Sequence, residues 1–268
     1  MAEENEKLKD DELTDIDREA ELFCCEVTLR DDDTRISHYT EGLKLYPNSG
    51  YILRSRGIAY QSKKEYDLAI EDFTKASTIN QKAWSLSLRG DAYLEKGEYD
   101  LAIADFTEQA KLEPDSGNGI SNRGKAYLRK GEYDLAILDF TQAMKLDGPS
   151  AVYHLYYRGD TYMEKEDWDS AIADYTETLR IVGSPKYFIR RSIAYSKKGE
   201  YDKAIEDCNK AISCYNYVAD AFNTRGLTHE KKGEYDKAIV DFNVALAIEP
   251  DNEEYQKNLE RIKGNSNA

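Results

Sequence analysis

No stretch of this chain approaches the roughly 18 consecutive apolar residues of a membrane span, so no spanning helix is expected. The opening residues also lack a long apolar run behind a basic start, which argues against a secretory signal. Positive charge is in deficit: 37 Lys and Arg stand against 52 Asp and Glu, for a net charge of −15. Binding a phosphate backbone needs a surplus of Lys and Arg, so nucleic acid is not the expected partner. The balance suits a heavily hydrated outer face. Cysteine is scarce. Cys24 and Cys25 are adjacent, which would strain a mutual disulfide, and Cys208 and Cys214 fall on different faces of one expected helix. All four read as reduced thiols in a cytoplasmic setting.

Histidine is scarcer still. His38, His154 and His229 are far apart in sequence, and no Cys-x-x-Cys or His-Glu-x-x-His occurs. No metal, cofactor or acid–base site is therefore expected. The abundant carboxylates fall on outward helix positions and read as a solvated face. Gly117-Asn118-Gly119 lacks the third glycine of a phosphate loop and follows a helix, so it is expected to be a turn. With no catalytic constellation in view, the chain is not expected to be an enzyme.

What is present is repetition. The segment Lys-Gly-Glu-Tyr-Asp-x-Ala-Ile-x-Asp-Phe recurs with small variations from Lys63, Lys96, Lys130, Lys165, Lys198 and Lys232, every 33 to 35 residues. A fixed period of this size predicts a stacked array in which each repeat buries its apolar face against its neighbours. Residues 1–12 are polar and expected to be disordered. Residues 13–49 form a degenerate helical pair, with Leu13, Ile16, Ala20 and Phe23 on one helix and Ile36, Tyr39, Leu43 and Leu45 on the second. Six clearer repeats span about 50–82, 83–116, 117–151, 152–184, 185–218 and 219–252. A capping helix over 253–264 and a tail over 265–268 complete the chain. Within each repeat two amphipathic helices meet at a tight turn. Gly97, Gly131, Gly199 and Gly233 close the first helix in a left-handed conformation. Lys64 and Glu166 hold the equivalent place in the other two repeats, whose turns should be less regular.

Small residues and tyrosines recur in the first helix, and Ala and Phe in the second: Gly57, Tyr60, Ala69, Phe73 and Ala76; Gly90, Tyr93, Ala102 and Phe106; Gly124, Tyr127, Ala136, Phe140 and Ala143. This pattern resembles the tetratricopeptide repeat over nearly the whole chain. Departures are Ser192 for the glycine, His229 for the tyrosine, Cys208 for the helix-two aromatic, and Gln109 and Thr178 for the last alanine. The resemblance implies an all-α solenoid, a right-handed superhelix of antiparallel helix pairs with a concave groove lined by the first helices. Independently, a glycine within a helix costs about 1 kcal/mol relative to alanine. Its recurrence predicts a close helix–helix approach, with Ala102 and its equivalents expected on the opposite side.

An arginine precedes each of these glycines (or Ser192), and an aspartate follows sixteen positions after the arginine: Arg56 and Asp72, Arg89 and Asp105, Arg123 and Asp139, Arg158 and Asp174, Arg191 and Asp207, Arg225 and Asp241. Across an antiparallel hairpin these positions lie level. Six ion pairs are expected, within repeats or passed to the next. The competing reading is a ligand-binding arginine stripe.

The family geometry would turn Tyr51, Arg54, Trp84, Leu88, Asn122, Lys125, Arg129, Tyr153, Tyr156, Tyr157, Lys186, Arg190 and Lys197 toward the groove. Aromatics with alternating charge suit an extended peptide or helix carrying complementary charges. The expected function is thus a non-enzymatic adaptor that binds a protein or peptide. The alternative is a structural subunit that self-associates or caps a larger complex. Some family members clamp the C-terminal carboxylate of heat-shock chaperones. Lys186 and Arg190 match two clamp positions, but Tyr157, Ser121 and Lys125 replace the remaining three, which disfavours that partner.

Overall fold

A computed structural model of the chain describes residues 31–148, 152–214 and 218–265. The expected helix at Leu13–Phe23, the disorder expected of residues 1–12, Cys24, Cys25 and the end of the tail lie outside them. The chain divides into two compact units between Asp147 and Gly148. The first contains α1 (Asp32–Leu45), α2 (Gly50–Ser62), α3 (Tyr66–Ser77), α4 (Lys82–Lys96), α5 (Tyr99–Leu112), α6 (Asn118–Lys130) and α7 (Tyr133–Asp147). The second contains α8 (Val152–Glu164), α9 (Trp168–Ile181), α10 (Pro185–Lys198), α11 (Tyr201–Ser213), α12 (Val218–Lys231), α13 (Tyr235–Ile248) and α14 (Glu253–Asn265). No strand occurs among the described residues.

Within each unit every helix packs on the next, and first helices also touch first helices: α2 with α4, α4 with α6, α10 with α12, and α12 with α14. No comparable contact joins successive second helices among the described residues. The first helices therefore occupy the tighter, inner side of each stack, and any groove must lie along them.

The turns explain the conserved rhythm of the repeat. At Gly97 (φ 84°) the Glu98 amide donates to the Tyr93 carbonyl at 2.9 Å and the Gly97 amide to Leu94 at 3.1 Å. This is the paired hydrogen bonding of a left-handed helix stop. Lys64 and Glu166 adopt φ 61° with the same long bond, Glu65 to Tyr60 and Asp167 to Tyr162, each 2.9 Å. The expectation of looser turns there is thus corrected: packing on both sides imposes the left-handed residue even where a Cβ resists it.

The helix-one glycine also has a different partner from the one expected. A Cβ built on Gly90 would stand 2.5 Å from the Phe106 ring, and one on Gly57 2.5 Å from Phe73. Gly124, Gly159 and Gly226 face Phe140, Tyr175 and Phe242 in the same way. The aromatic, not the alanine, fills the space of the absent side chain. Ala69 and Ala171 instead share core clusters with Ala92 and Ala194 of the following repeat. The fifth clear repeat follows the same rule with two departures. Ser192 replaces the glycine, Cys208 replaces the ring, and the thiol donates to the serine hydroxyl at 3.3 Å. Burial pushes the Cys208 thiol up to about 12, marking a packed rather than a reactive sulfur. The Gly117–Gly119 stretch is corrected as well. Gly117 caps α6, and Asn118 and Gly119 form its first turn, where a Cβ on Gly119 would meet the Ala110 backbone nitrogen at 2.6 Å.

All six arginine–aspartate pairs form inside their own repeats. In each, Nε and Nη2 donate to the two carboxylate oxygens, for example at 2.7 and 2.6 Å between Arg89 and Asp105, and 2.8 and 2.8 Å between Arg123 and Asp139. The same fork joins Arg56 to Asp72, Arg158 to Asp174, Arg191 to Asp207 and Arg225 to Asp241. The aspartates are buried, and their hydrogen bonds hold the guanidinium pKa values above the ordinary arginine range against the opposing effect of burial. The remaining Nη1 reaches back to the second helix of the preceding repeat: Arg56 to Thr40, Arg89 to Thr74, Arg123 to Thr107, Arg191 to Thr176 and Arg225 to Asn209. One side chain thereby closes its own hairpin and ties it to the preceding one, which leaves no arginine stripe for a ligand.

The turn lysine makes a second stitch. Lys96 bridges Glu98 of its own turn and Asp67 of the preceding repeat, both at 2.7 Å. Lys130 joins Glu132 and Asp100, and Lys198 joins Glu200 and Asp169 in the same way. Lys63 and Lys232 repeat the pattern. These pairs are solvent-facing and fix register more than they add stability.

Candidate peptide-binding groove

In the first unit the expected groove residues divide between packing and surface. Arg54 is 1% exposed, donates to Asn80 Oδ1 at 3.0 Å, and lies 4.5 Å from the Trp84 ring. Its guanidinium is therefore built into the junction between α2, α3 and α4 and is not presented to a ligand. Trp84 keeps its outer edge free at 44% exposure. Leu88 packs on the Ala69–Phe73–Ala92 cluster, and Tyr51 is half-buried. Asn122 donates to Ser87 at 3.2 Å and to Gln109 at 3.3 Å, tying α6 to α4 and α5. Arg129 on α6 faces Glu95 on α4 at 3.9 Å. Between these helices burial raises the Asp91 pKa, with Lys125 opposing the shift and Glu95 adding to it. The inner face of this unit is thus locally charge-balanced.

The second unit differs. The tyrosines of α8 gather into an aromatic nest: Tyr153 and Tyr157 meet edge-on at 4.6 Å, Tyr157 and Tyr156 at 5.1 Å, and Tyr156 lies 5.7 Å from Tyr187 on α10. Tyr156 itself is buried, its hydroxyl pushed up to about 12 by burial and by Asp160, so it supports the face rather than offering a free ring. Tyr153 remains 46% exposed. Lys186 Nζ sits 4.1 Å from the centre of the Tyr156 ring, and Arg190 faces Asp160 at 3.9 Å. Tyr175 donates to that same Asp160 at 2.6 Å.

Beyond the nest, the inner faces of α10, α12 and α14 enclose a cavity of about 820 Å³. This lies within the range of ligand-binding clefts. Ile189, Ile193, Leu227 and Tyr255 supply apolar lining, and Ser196, Asn223, Thr224 and Thr228 supply polar groups. The rim carries Lys186, Arg190, Lys197 and Lys231, with Asp220 and Glu254. Asp220 is already occupied by the Tyr255 hydroxyl at 2.6 Å, and Asn258 of the capping helix donates to Asn223 at 2.9 Å. The capping helix thus closes one wall of the cavity while shielding the last hairpin. Of the thirteen residues expected in the groove, Lys186, Arg190 and Lys197 come together here. Lys231, Leu227 and Asn223 were not singled out from the sequence. Their position matches Lys197, Ile193 and Ile189 one repeat earlier, which was the available signal.

No catalytic or metal-binding arrangement emerges from these residues. No group of three or more His, Cys, Asp or Glu side chains suited to a metal is found among the described residues. His229 is buried, with Nδ1 2.6 Å from Glu234 at the turn. Lys237 and then His229 hold the Glu234 carboxyl down to about 2. No described helix is long and apolar enough to cross a membrane.

Helical hairpins stacked with their first helices inward, closed in the six clear repeats by a left-handed turn and in five of them by a Gly–aromatic contact, define an α-solenoid of the protein-interaction class. Models of the tetratricopeptide repeat match residues 55–82, 85–116, 121–184, 185–214 and 219–252, well over half the chain. The chain belongs to the tetratricopeptide repeat family. No curated protein matches its sequence. Among solved structures it is similar to a tetratricopeptide repeat protein from Parabacteroides merdae, with TM-score 0.70, 17% identity, and coverage of 94% of this chain and 98% of that one. It is also similar to a chain of the APC/C hetero-tetramer Cut9-Hcn1, with TM-score 0.66, 20% identity and coverage of 86% of this chain, but it spans only 46% of that chain. MamA aligns with TM-score 0.53 and 26% identity over 60% of this chain and 94% of its own. The first two likenesses show the fold alone. The fold is that of a protein–protein interaction scaffold, and it implies protein or peptide partners.

Proposed function

We propose that the chain is a non-enzymatic adaptor that holds an extended segment of a partner protein along the inner face of its second unit. The observation that carries this reading is the cavity between α10, α12 and α14, where an apolar lining, buried hydrogen-bonding groups and a charged rim coincide on first helices. An extended peptide needs this combination: apolar side chains to seat, polar groups to pair with its backbone, and charges to set its register. The free thiols of Cys208 and Cys214 are consistent with a cytoplasmic place of action.

The test is a quantitative affinity capture comparing wild type with a Lys186→Glu, Arg190→Glu variant and with an outer-face control, Lys75→Glu, each checked for native helicity. Loss of partners in the groove variant with retention in the control is the expected result. Identical partner sets in all three would overturn the assignment of function to this face.

A further inference from the structure

The last turn of each first helix carries one side chain two residues before the helix-stop position, and in each unit one pair of these residues from successive repeats interacts. In the first unit these positions hold Glu95 and Arg129, opposite charges 3.9 Å apart. In the fifth and sixth clear repeats the same two positions are Lys197 and Lys231. Both line the cavity, and neither forms an ion pair with any described residue. Glu230 on α12 is engaged by Arg261 of the capping helix, and Glu164, which holds the same position one repeat before Lys197, forms no ion pair with it. Burial first, and then the neighbouring Lys197, lower the Lys231 pKa against the opposing pull of Glu230 beside it in the chain.

Electrostatics toward the helix C-termini does not account for these two lysines. Cations in a last turn are favoured by the helix dipole, but Lys198 and Lys232 already occupy that role one residue later, each bridging two carboxylates. Lys197 and Lys231 are additional, and they stand in a chain of net charge −15, where a carboxylate at either position would be the easy choice. Apolar surface from Ile193 and Leu227 lines the same cavity. An anion held between the two ammonium groups would relieve their repulsion, and an apolar neighbour on the same strand could seat against the two aliphatic side chains.

We infer that Lys197 and Lys231 form an acid-reading pair that takes one aspartate or glutamate side chain of a bound peptide, next to an apolar residue seated on Ile193 and Leu227. This rests on the groove reading above and assigns the chemistry of its partner at a subsite separate from Lys186 and Arg190. Repulsion between two exposed ammonium groups is weak, so Lys197→Glu would recreate the arrangement of Glu95 and Arg129 and remove the subsite without lowering stability.

The experiment is selection from a display library of random octapeptides by the full chain and by its Lys197→Glu variant, alongside thermal melts of both. Wild type is expected to enrich acidic over amide side chains beside an apolar residue roughly fivefold or more. The variant should lose that preference, keep the apolar one, and melt no lower than wild type. Apolar enrichment without acidic preference, or the same acidic preference in the variant, overturns the inference and leaves the groove reading standing. Selection of no peptide by either protein overturns both. Abolition of the acidic preference by inorganic phosphate at low millimolar concentration would show a general anion site and also overturns it. A variant that loses the preference but melts lower would refute the claim that the two lysines repel across an empty subsite.

Discussion

Replacing Arg123 by leucine removes two hydrogen bonds of 2.8 Å from Asp139, whose residue is only 3% exposed. The carboxylate cannot turn to water without opening the hairpin between α6 and α7, so it must remain buried and unpaired or take up a proton. Breaking a buried pair from one side in this way costs about 3–5 kcal/mol. The reverse single change, Asp139→Leu, should cost less, on the order of 1–3 kcal/mol. Arg123 keeps 23% of its side chain exposed, so its guanidinium can swing outward to water, giving up its third bond to Thr107. The double variant removes both charges and fills the site with apolar volume, which is often neutral or even stabilising. Urea unfolding of wild type, both singles and the double, followed by circular dichroism, should give a coupling energy of about 4 kcal/mol or more, the two single losses set against a near-neutral double. Double-variant loss equal to the sum of the singles would refute the account of the ladder as a set of closed, buried pairs.

Three further outcomes follow from the packing and the charges. Cys208→Phe should destabilise by about 1–3 kcal/mol through overpacking against Ser192, and adding Ser192→Gly should restore most of it, as read from urea midpoints; no rescue would contradict the paired-substitution reading. Lys64→Gly and Glu166→Gly should each be neutral to stabilising by about 1 kcal/mol at most, because relief of the left-handed strain is partly offset by a more flexible unfolded chain. Gly97→Lys should destabilise by about 1 kcal/mol, and thermal melts order the three. Asp91 carries a raised folded pKa, chiefly from burial. Its ionisation therefore weakens the folded state once pH climbs above the ordinary value of 3.8. Asp91→Asn should then raise the melting temperature at pH 7, with the gain vanishing below that value, where the carboxyl is protonated folded and unfolded alike; a gain that persists in acid would contradict the sign.

The sequence made the hairpins, the turn glycines and the arginine–aspartate spacing legible, because each of these depends on geometry inside one repeat. A sixteen-residue separation across a tight turn fixes which side chains lie level, and Arg89 met Asp105 as the spacing required. Contacts between repeats were not legible in the same way. The glycine was expected to face an alanine and instead faces Phe106, because the offset of the two helices brings the ring and not the Cβ to that level. Arg54 and Tyr156 sit at periodic positions that point inward, yet the next repeat stacks over them, so they are buried where Lys186 and Lys197 stay accessible. Lys64 and Glu166 looked like irregular turns because local preference was weighed without the packing that overrides it. The lysine stitches to Asp67, Asp100 and Asp169 were missed for the same reason: their partners lie a full repeat away.

Lysine-directed acetylation with and without a captured partner reads out which face the partner covers, because the groove residues that matter are lysines. Lys186, Lys197 and Lys231 should become protected when the partner is bound, while Lys203, Lys210 and Lys237 on the second helices keep their reactivity. Protection of the second-helix lysines with the groove lysines unchanged would contradict binding in the groove.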